Sequence, residues 1–334
     1  MIDSLAAAYR TLYGWLIADR DDVLVVSHVR PDGDALGAQT AMHRIIQKLG
    51  RRSAMVNADH PPKRFDYLPG YAEIHTVEAL MSRGPYRRAV FVDCADRARI
   101  GDVEALLSSD ARIANIDHHA TNDRYGEINV VRAEASSTCE IVYDFVRAVG
   151  VAMDEALATA LYTGLLTDTG GFRYQNTSPK VLHDAAELVE CGAEPYSIAE
   201  QALETMSLPQ LRLLARVLGD IQLYAGGRVA LIEVTAEALR EAGAELDDTE
   251  GLVHYARNIE GVEVAVLLRE QDEGIKASFR SRRRVDVAAL AQKFGGGGHV
   301  RAAGATLAPP MAEARARVLE VLRATLSNPE EGKR

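Results

Sequence analysis

Ile113-Ala114-Asn115-Ile116-Asp117-His118-His119 decides how this chain is read. Residues 113–116 form an apolar run too short for a helix, and they predict a buried strand. Asp117, His118 and His119 emerge where that strand ends. In an open α/β sheet, ligands gather at the carboxyl ends of the strands. The reading therefore turns on whether other strands end in the same way.

Two others do. Val23-Leu24-Val25-Val26-Ser27 is an apolar, β-branched run that leads into His28-Val29-Arg30-Pro31-Asp32-Gly33-Asp34. Pro31 and Gly33 predict a turn, with Asp32 and Asp34 on either side of the glycine. A helix is predicted from Ala35 to Leu49, ended by Gly50. Ser53 to Asn57 reads as a further strand. Arg88-Ala89-Val90-Phe91-Val92 reads as another, closed by Asp93. Strand and crossover repeated in this way predict a parallel sheet.

Further along, Ser136 or Ser137 is expected to cap a helix reaching about Val149, with Glu140 completing a capping box. Asp168 follows a predicted helix, Glu155 to Thr167, and precedes Gly170-Gly171. The helix dipole disfavours a carboxylate at that end, and a bound cation would offset it.

At 334 residues and 47% apolar, the chain is expected to hold two globular domains. Its net charge of −10 argues against wrapping long duplex nucleic acid. Three widely spaced cysteines form no zinc-type cluster and predict a reduced, cytoplasmic protein. No apolar run approaches the ~18 residues of a membrane span, and Met1 to Arg20 reads as an amphipathic helix. The expected divisions are a catalytic domain over 1–190, a helical connector over 191–219, and a substrate-binding domain over 220–334.

In that last domain, strands are predicted near 221–224, 229–234, 262–269 and 275–280, with Gly226-Gly227 as a hairpin turn. Phe294-Gly295-Gly296-Gly297-Gly298-His299 reads as a loop whose backbone can approach an anion closely. Arg283 and Arg284 read as a solvated charge run.

Clustered carboxylates repel unless neutralised. His28, Asp32, Asp34, Asp93, Asp117, His118, His119 and Asp168 are too many ligands for one octahedral ion. Asp and His without Cys suit Mn²⁺ or another transition ion. A pair of such ions clamps the attacking water and the leaving oxygen in phosphoryl transfer.

On these motifs the chain resembles the DHH phosphoesterase superfamily. The resemblance rests on residues 28–34, Val92-Asp93, Asp117-His118-His119 and Leu166-Thr167-Asp168-Thr169-Gly170. It also rests on Gly296-Gly297-Gly298-His299, the motif of the associated DHHA1 domain. The compact branch it is similar to comprises bacterial nanoRNases and 3′-phosphoadenosine 5′-phosphate (pAp) phosphatases. The fold implied is α/β: a DHH domain with a parallel sheet of five-stranded type flanked by helices, then the connector, then a smaller α/β DHHA1 domain with a mostly antiparallel sheet.

The resemblance implies that His28 and Asp32 hold one ion, with Asp93 bridging, and that Asp34, His118 and Asp168 hold the second. His119, Asp117 and Asp93 are the catalytic candidates. His119 would face the scissile phosphate, and Asp117 would be an outer ligand or orient His118. Arg280, Gly296, Gly297, Gly298 and His299 would grip the substrate. Two divalent cations are implied, Mn²⁺ first, with Mg²⁺ or Co²⁺ as substitutes. The implied substrates are pAp and very short single-stranded RNA or DNA oligonucleotides, lying in a cleft between the domains. No membrane and no long duplex DNA are expected as partners, and a homodimer is one expected assembly. Two alternatives stay open: a cyclic or linear dinucleotide phosphodiesterase, and a non-catalytic RNA-binding or nucleotide-sensing protein.

Overall fold

Alternation along the strands organises the first half of the protein. In β1 (Val23–Val26) all four residues are buried. Val23 and Val25 face one core while Leu24 and Val26 face another. Burial on both faces is what a parallel sheet covered by helices requires. The computed structural model describes residues 2–327, and of residues 2–4, 299 and 327 only the backbone. It divides between Thr205 and Met206 into two compact units.

The first unit holds β1, β2 (Ser53–Val56), β3 (Ile74–His75), β4 (Tyr86–Val92), β5 (Leu107–Asp117) and β6 (Ile128–Val131). They form one sheet in the order β3-β2-β1-β4-β5-β6, with every pair parallel. Strand order reverses between β1 and β4, and such a switch point is where ligands bind in open α/β sheets. Its helices are α1 (Ile2–Ala18), α2 (Gly33–Lys48), α3 (Val77–Leu80), α4 (Thr138–Val149), α5 (Glu155–Asp168), α6 (Pro179–Glu190) and α7 (Pro195–Ala199). The sheet has six strands where five were expected. Ile74–His75 is too short to show a pattern, and Ile128–Val131 sits at the sheet edge.

Gly33 does not make the expected turn. It opens α2, whose N-cap is Asp32. A Cβ there would lie 2.5 Å from Thr167 Oγ1, and one on Gly37 would lie 2.5 Å from the Ala160 carbonyl oxygen. Close packing of α2 on α5 therefore requires glycine at both positions, and it draws Asp34 toward the end of α5.

The second unit holds β7 (Gln222–Tyr224), β8 (Val229–Val234), β9 (Val264–Gln271), β10 (Gly274–Ser281), β11 (Gly297–His299) and β12 (Ala302–Leu307). Their order is β11-β12-β10-β9-β8-β7, and only β8 and β9 pair in parallel. One face packs on α11 (Val287–Gln292) and α12 (Met311–Ser327). The other packs on α8 (Leu208–Leu218), α9 (Ala236–Ala242) and α10 (Leu252–Asn258).

The expected connector is split between the units. Ala193, Ile198 and Ala202 pack into the first core, while Leu213, Leu214 and Val217 pack into a core of the second. The later part of the glycine stretch, Gly297–His299, is a strand rather than a loop. Gly298 has φ +140, and a Cβ there would lie 2.5 Å from the Ala302 carbonyl oxygen; one on Gly296 would lie 2.1 Å from that of Gly304. Glycines let β11 lie tightly against β12, but they supply no alternating pattern by which a strand is recognised. Among the described residues no helix is long and apolar enough to cross a membrane.

Candidate metal centre

β1, β4 and β5 end side by side, and residues just beyond them, His28, Asp93 and His118, meet. Asp93 is central. Its backbone is held at φ +59, a left-handed conformation that Asp tolerates better than most residues. This turns its carboxylate inward, 3.2 Å from His28 Nε2 and 3.5 Å from His118 Nε2. His118 Nε2 is also 3.5 Å from Asp168 Oδ2. His28 and His118 each turn Nδ1 to a carbonyl, of Val29 at 2.8 Å and of Ala135 at 3.4 Å. With Nδ1–H given to a carbonyl, Nε2 is the nitrogen turned toward the carboxylates, the usual orientation of a metal-binding imidazole.

Asp34 sits on the first turn of α2 and meets the start of α4. Its oxygens accept from the N–H groups of Thr138, at 2.6 Å, and Cys139, at 2.9 Å. Thr138 Oγ1 donates to Asp93 Oδ1 at 2.9 Å, so one residue steadies two of the acids. Sequence reading missed Thr138; its only signal is a place one residue after a predicted cap. That cap is Ser137, whose oxygen accepts from Glu140 N. The expected capping box is not formed, because the Glu140 carboxylate accepts instead from Ser136 N and pairs with Arg132.

Asp117 departs from its expected roles. One oxygen meets His119 Nδ1 at 2.7 Å and the other accepts from Asn122 Nδ2 at 2.6 Å. It holds His119, not His118, whose Nδ1 faces the Ala135 carbonyl oxygen instead. Asn122 also escaped the sequence reading.

All eight residues gathered from the sequence come together. Seven of them fall in three overlapping sets whose ligand atoms lie within 4.8 Å of one another: His28, Asp32 and Asp93; Asp34, His118 and Asp168; and Asp93, His118 and His119. Asp117 joins through its bond to His119. Burial, and then the charge of Asp93, push the Asp34 pKa up to about 7. Burial and the charges of Asp34, Asp32 and Asp93 push Asp168 well up. Burial opposes a proton on His28, His118 and His119, but hydrogen bonds and charges, chiefly of Asp93 and Asp117, outweigh it, and all three are raised. Burial would also raise Asp93, yet its bond to His28 and the neighbouring imidazoles hold it below the usual carboxylate range. The cluster thus collects protons where a cation would serve better. Two sets of oxygen and imidazole donors joined through Asp93 and His118 fit two divalent ions.

In the second unit, Arg280 on β10 is half-buried and donates to the Phe279 carbonyl oxygen at 3.0 Å. Ala302 pairs with Arg280 on one side and with His299 on the other. The His299 side chain lies outside the described residues. Gly297 has no atom within 4 Å of where a Cβ would stand. Arg282, Arg283 and Arg284 are exposed, on a loop pinned by Glu263 Oε1 through the N–H groups of Arg283, Arg284 and Val285.

Comparison with known proteins matches residues 22–165 to the DHH family, N-terminal domain, and residues 227–328 to the DHHA1 domain. The chain is 38% identical over 307 residues to the bifunctional oligoribonuclease and PAP phosphatase NrnA of Thermus thermophilus, covering 91% of this chain and 90% of that protein. It belongs to the DHH family. The NrnA protein of Bacillus subtilis is 29% identical over 86% of this chain and 90% of its own length. A crystal structure of an exopolyphosphatase-related protein from Bacteroides fragilis matches with a TM-score of 0.87 at 27% identity, over 96% of both chains. The DHH match takes in β1 through most of α5, which carry every clustered residue except Asp168.

Proposed function

We propose that this DHH chain is a two-metal phosphohydrolase that degrades very short oligonucleotides to mononucleotides and removes the 3′-phosphate of pAp to give AMP. The observation that carries the reading is the convergence on Asp93 of His28 at 3.2 Å and His118 at 3.5 Å, with Asp168 a further 3.5 Å from His118. A non-catalytic binder of anions would gain nothing from so many acids at one point. Relatives covering about nine-tenths of both chains are named for both activities.

His28, Asp32 and Asp93 would hold one ion, and Asp34, His118 and Asp168 the second, with Asp93 between them. Mn²⁺ is the first choice for this mixed donor set. When bound, such ions lower the pKa of an attacking water and stabilise the leaving oxygen. Thr138 and the start of α4 fix Asp34 and Asp93 in place. His119, its Nδ1 engaged by Asp117, is assigned to the scissile phosphate as a donor to charge that builds in the transition state. Arg280 and the Gly296-Gly297-Gly298-His299 segment are assigned to the substrate's phosphate or base.

The test is a parallel assay with Mn²⁺ on pAp, a 5′-phosphorylated RNA dinucleotide, a cyclic dinucleotide and a longer strand. Mononucleotide from the dinucleotide and AMP from pAp are expected. Turnover of the cyclic compound alone would favour the cyclic dinucleotide phosphodiesterase. No hydrolysis with Mn²⁺, Mg²⁺ or Co²⁺ would end the hydrolase reading.

A further inference from the structure

We propose that Asn122 is a positioning residue for the reaction, holding His119 through the carboxylate of Asp117. The inference rests on the assignment of His119 to the scissile phosphate. Asn122 stands in the loop after β5, three residues beyond His119, and its backbone N–H returns to the His119 carbonyl oxygen at 3.1 Å. Its side-chain oxygen accepts from Arg124 N at 2.7 Å, an Asx turn that carries Arg124 at φ +56. With the oxygen committed to that donor, the amide nitrogen faces the other way. There it donates to Asp117 Oδ2 at 2.6 Å and to Asn115 Oδ1 at 2.7 Å. Both partners are acceptors, so the orientation of the amide is fixed by chemistry at each end.

Asn115 is in turn immobilised. Its Nδ2 donates to Tyr125 Oη at 2.9 Å and to the Cys94 carbonyl oxygen at 3.2 Å, and Tyr125 Oη donates to that carbonyl at 3.0 Å. Asn115 and Asp117 are completely buried. A buried carboxylate with a donor on each oxygen has one orientation. Here one donor is Asn122 and the other is His119 Nδ1. The network therefore places the His119 proton on Nδ1 and sets the plane of the ring, as outer partners do for catalytic imidazoles. Without the Asn122 donor, Asp117 can turn away and the imidazole loses its anchor.

Two variants separate this role from the turn. Asn122→Asp keeps the oxygen that accepts from Arg124 N but puts an acceptor in place of the donor that faces Asp117. Asn122→Ala removes both functions. Hydrolysis of a 5′-phosphorylated RNA dinucleotide gives kcat and KM. Nitrogen-15 spectra of histidine-labelled, Mg²⁺-loaded protein, with His119→Gln to identify the signal, report the His119 tautomer. We expect Asn122→Asp to fold, to lose kcat about ten- to hundredfold with KM within about twofold, and to lose the fixed Nδ1–H form. Wild-type kcat in Asn122→Asp would overturn the proposal. So would a kcat loss with the His119 signal unchanged, or failure of both variants to fold, which would leave Asn122 serving the loop alone. The spectra need no turnover: a wild type inert on every phosphoester would sink the hydrolase reading, while the tautomer still decides Asn122.

Discussion

Thr138 donates its backbone N–H to Asp34 Oδ2 at 2.6 Å across 104 residues of sequence. Its hydroxyl meanwhile donates to Asp93 at 2.9 Å. The start of α4 thus holds one acid by its amides and dipole and a second by a side chain. Thr138→Val keeps the amides and removes only the hydroxyl. It is expected to weaken cation binding about tenfold and to lower stability by about 1 kcal/mol. Titration calorimetry with Mn²⁺ and urea unfolding check the two effects. Unchanged cation affinity would show that Asp93 needs no such support.

Asp93→Asn is the sharper test of the central acid. Asn accepts the left-handed backbone of Asp93 as readily as Asp does, so the fold should persist while the charge is lost. Hydrolysis is expected to fall to background with an unfolding midpoint close to that of the wild type. Full turnover in this variant would remove Asp93 from the mechanism.

The pH dependence of the cation-depleted protein has a definite sign. Burial and the charge of Asp93 push Asp34 in the folded protein up to about 7, from about 3.9 when unfolded, and Asp168 is raised in the same direction. Between those values the folded state binds more protons, so stability falls as pH rises. The raised histidines act in the same sense: their contribution is present below about pH 6.5 and is lost as pH rises through their folded values. With chelator present, the melting temperature should therefore drop from about pH 5 to about pH 8, and added Mn²⁺ should raise it more at the higher pH. A flat chelator profile would contradict the crowded-acid picture.

Asp154 gives the opposite sign. It caps α5 and pairs with Arg44 and Lys48, each at under 3 Å. The Arg44 hydrogen bond outweighs burial and, with Lys48, holds its carboxyl well below the usual range. Its stabilising effect is present above the unfolded value near ~3.9 and lost as pH falls below it. Asp154→Ala is expected to cost about 1–2 kcal/mol at neutral pH, with a smaller difference from wild type in acid. A urea series at two pH values measures both.

Gly297 and Gly298 are neighbours with different tolerances. Gly298→Ala meets both a disfavoured positive-φ backbone, costing about 1–3 kcal/mol, and the Ala302 carbonyl. The second unit should lose stability. Gly297→Ala has open space and should fold normally, so any rise in KM for a dinucleotide reports substrate against that backbone. Normal KM would take Gly297 out of substrate binding.

Much of the centre was legible because parallel strands announce themselves. Val23–Val26 and Ala89–Val92 are solid apolar runs, and the residues just beyond each run must stand at the sheet edge. Asp168 was visible as an acid at the wrong end of a helix. Other parts carry no local signal. β11 is Gly-Gly-His, and its strand character comes from tight pairing to β12. Gly33 looked like a turn former because its real constraint, Thr167, is distant in sequence. Asp117 was expected to act as an outer ligand or to orient His118, and only the folded chain shows that its carboxylate meets His119. Asn122 is an ordinary loop residue by composition, and only the folded loop shows what its amide touches.

The boundary at Thr205 leaves every clustered acid and imidazole on one side of it. The first unit has its own cores as well. If the glycine strand and Arg280 grip the substrate, hydrolytic power and choice of substrate reside in separate modules. Exchanging the second module would re-address the same chemistry to a new phosphoester, giving one ancestral engine a simple route to many specialised descendants.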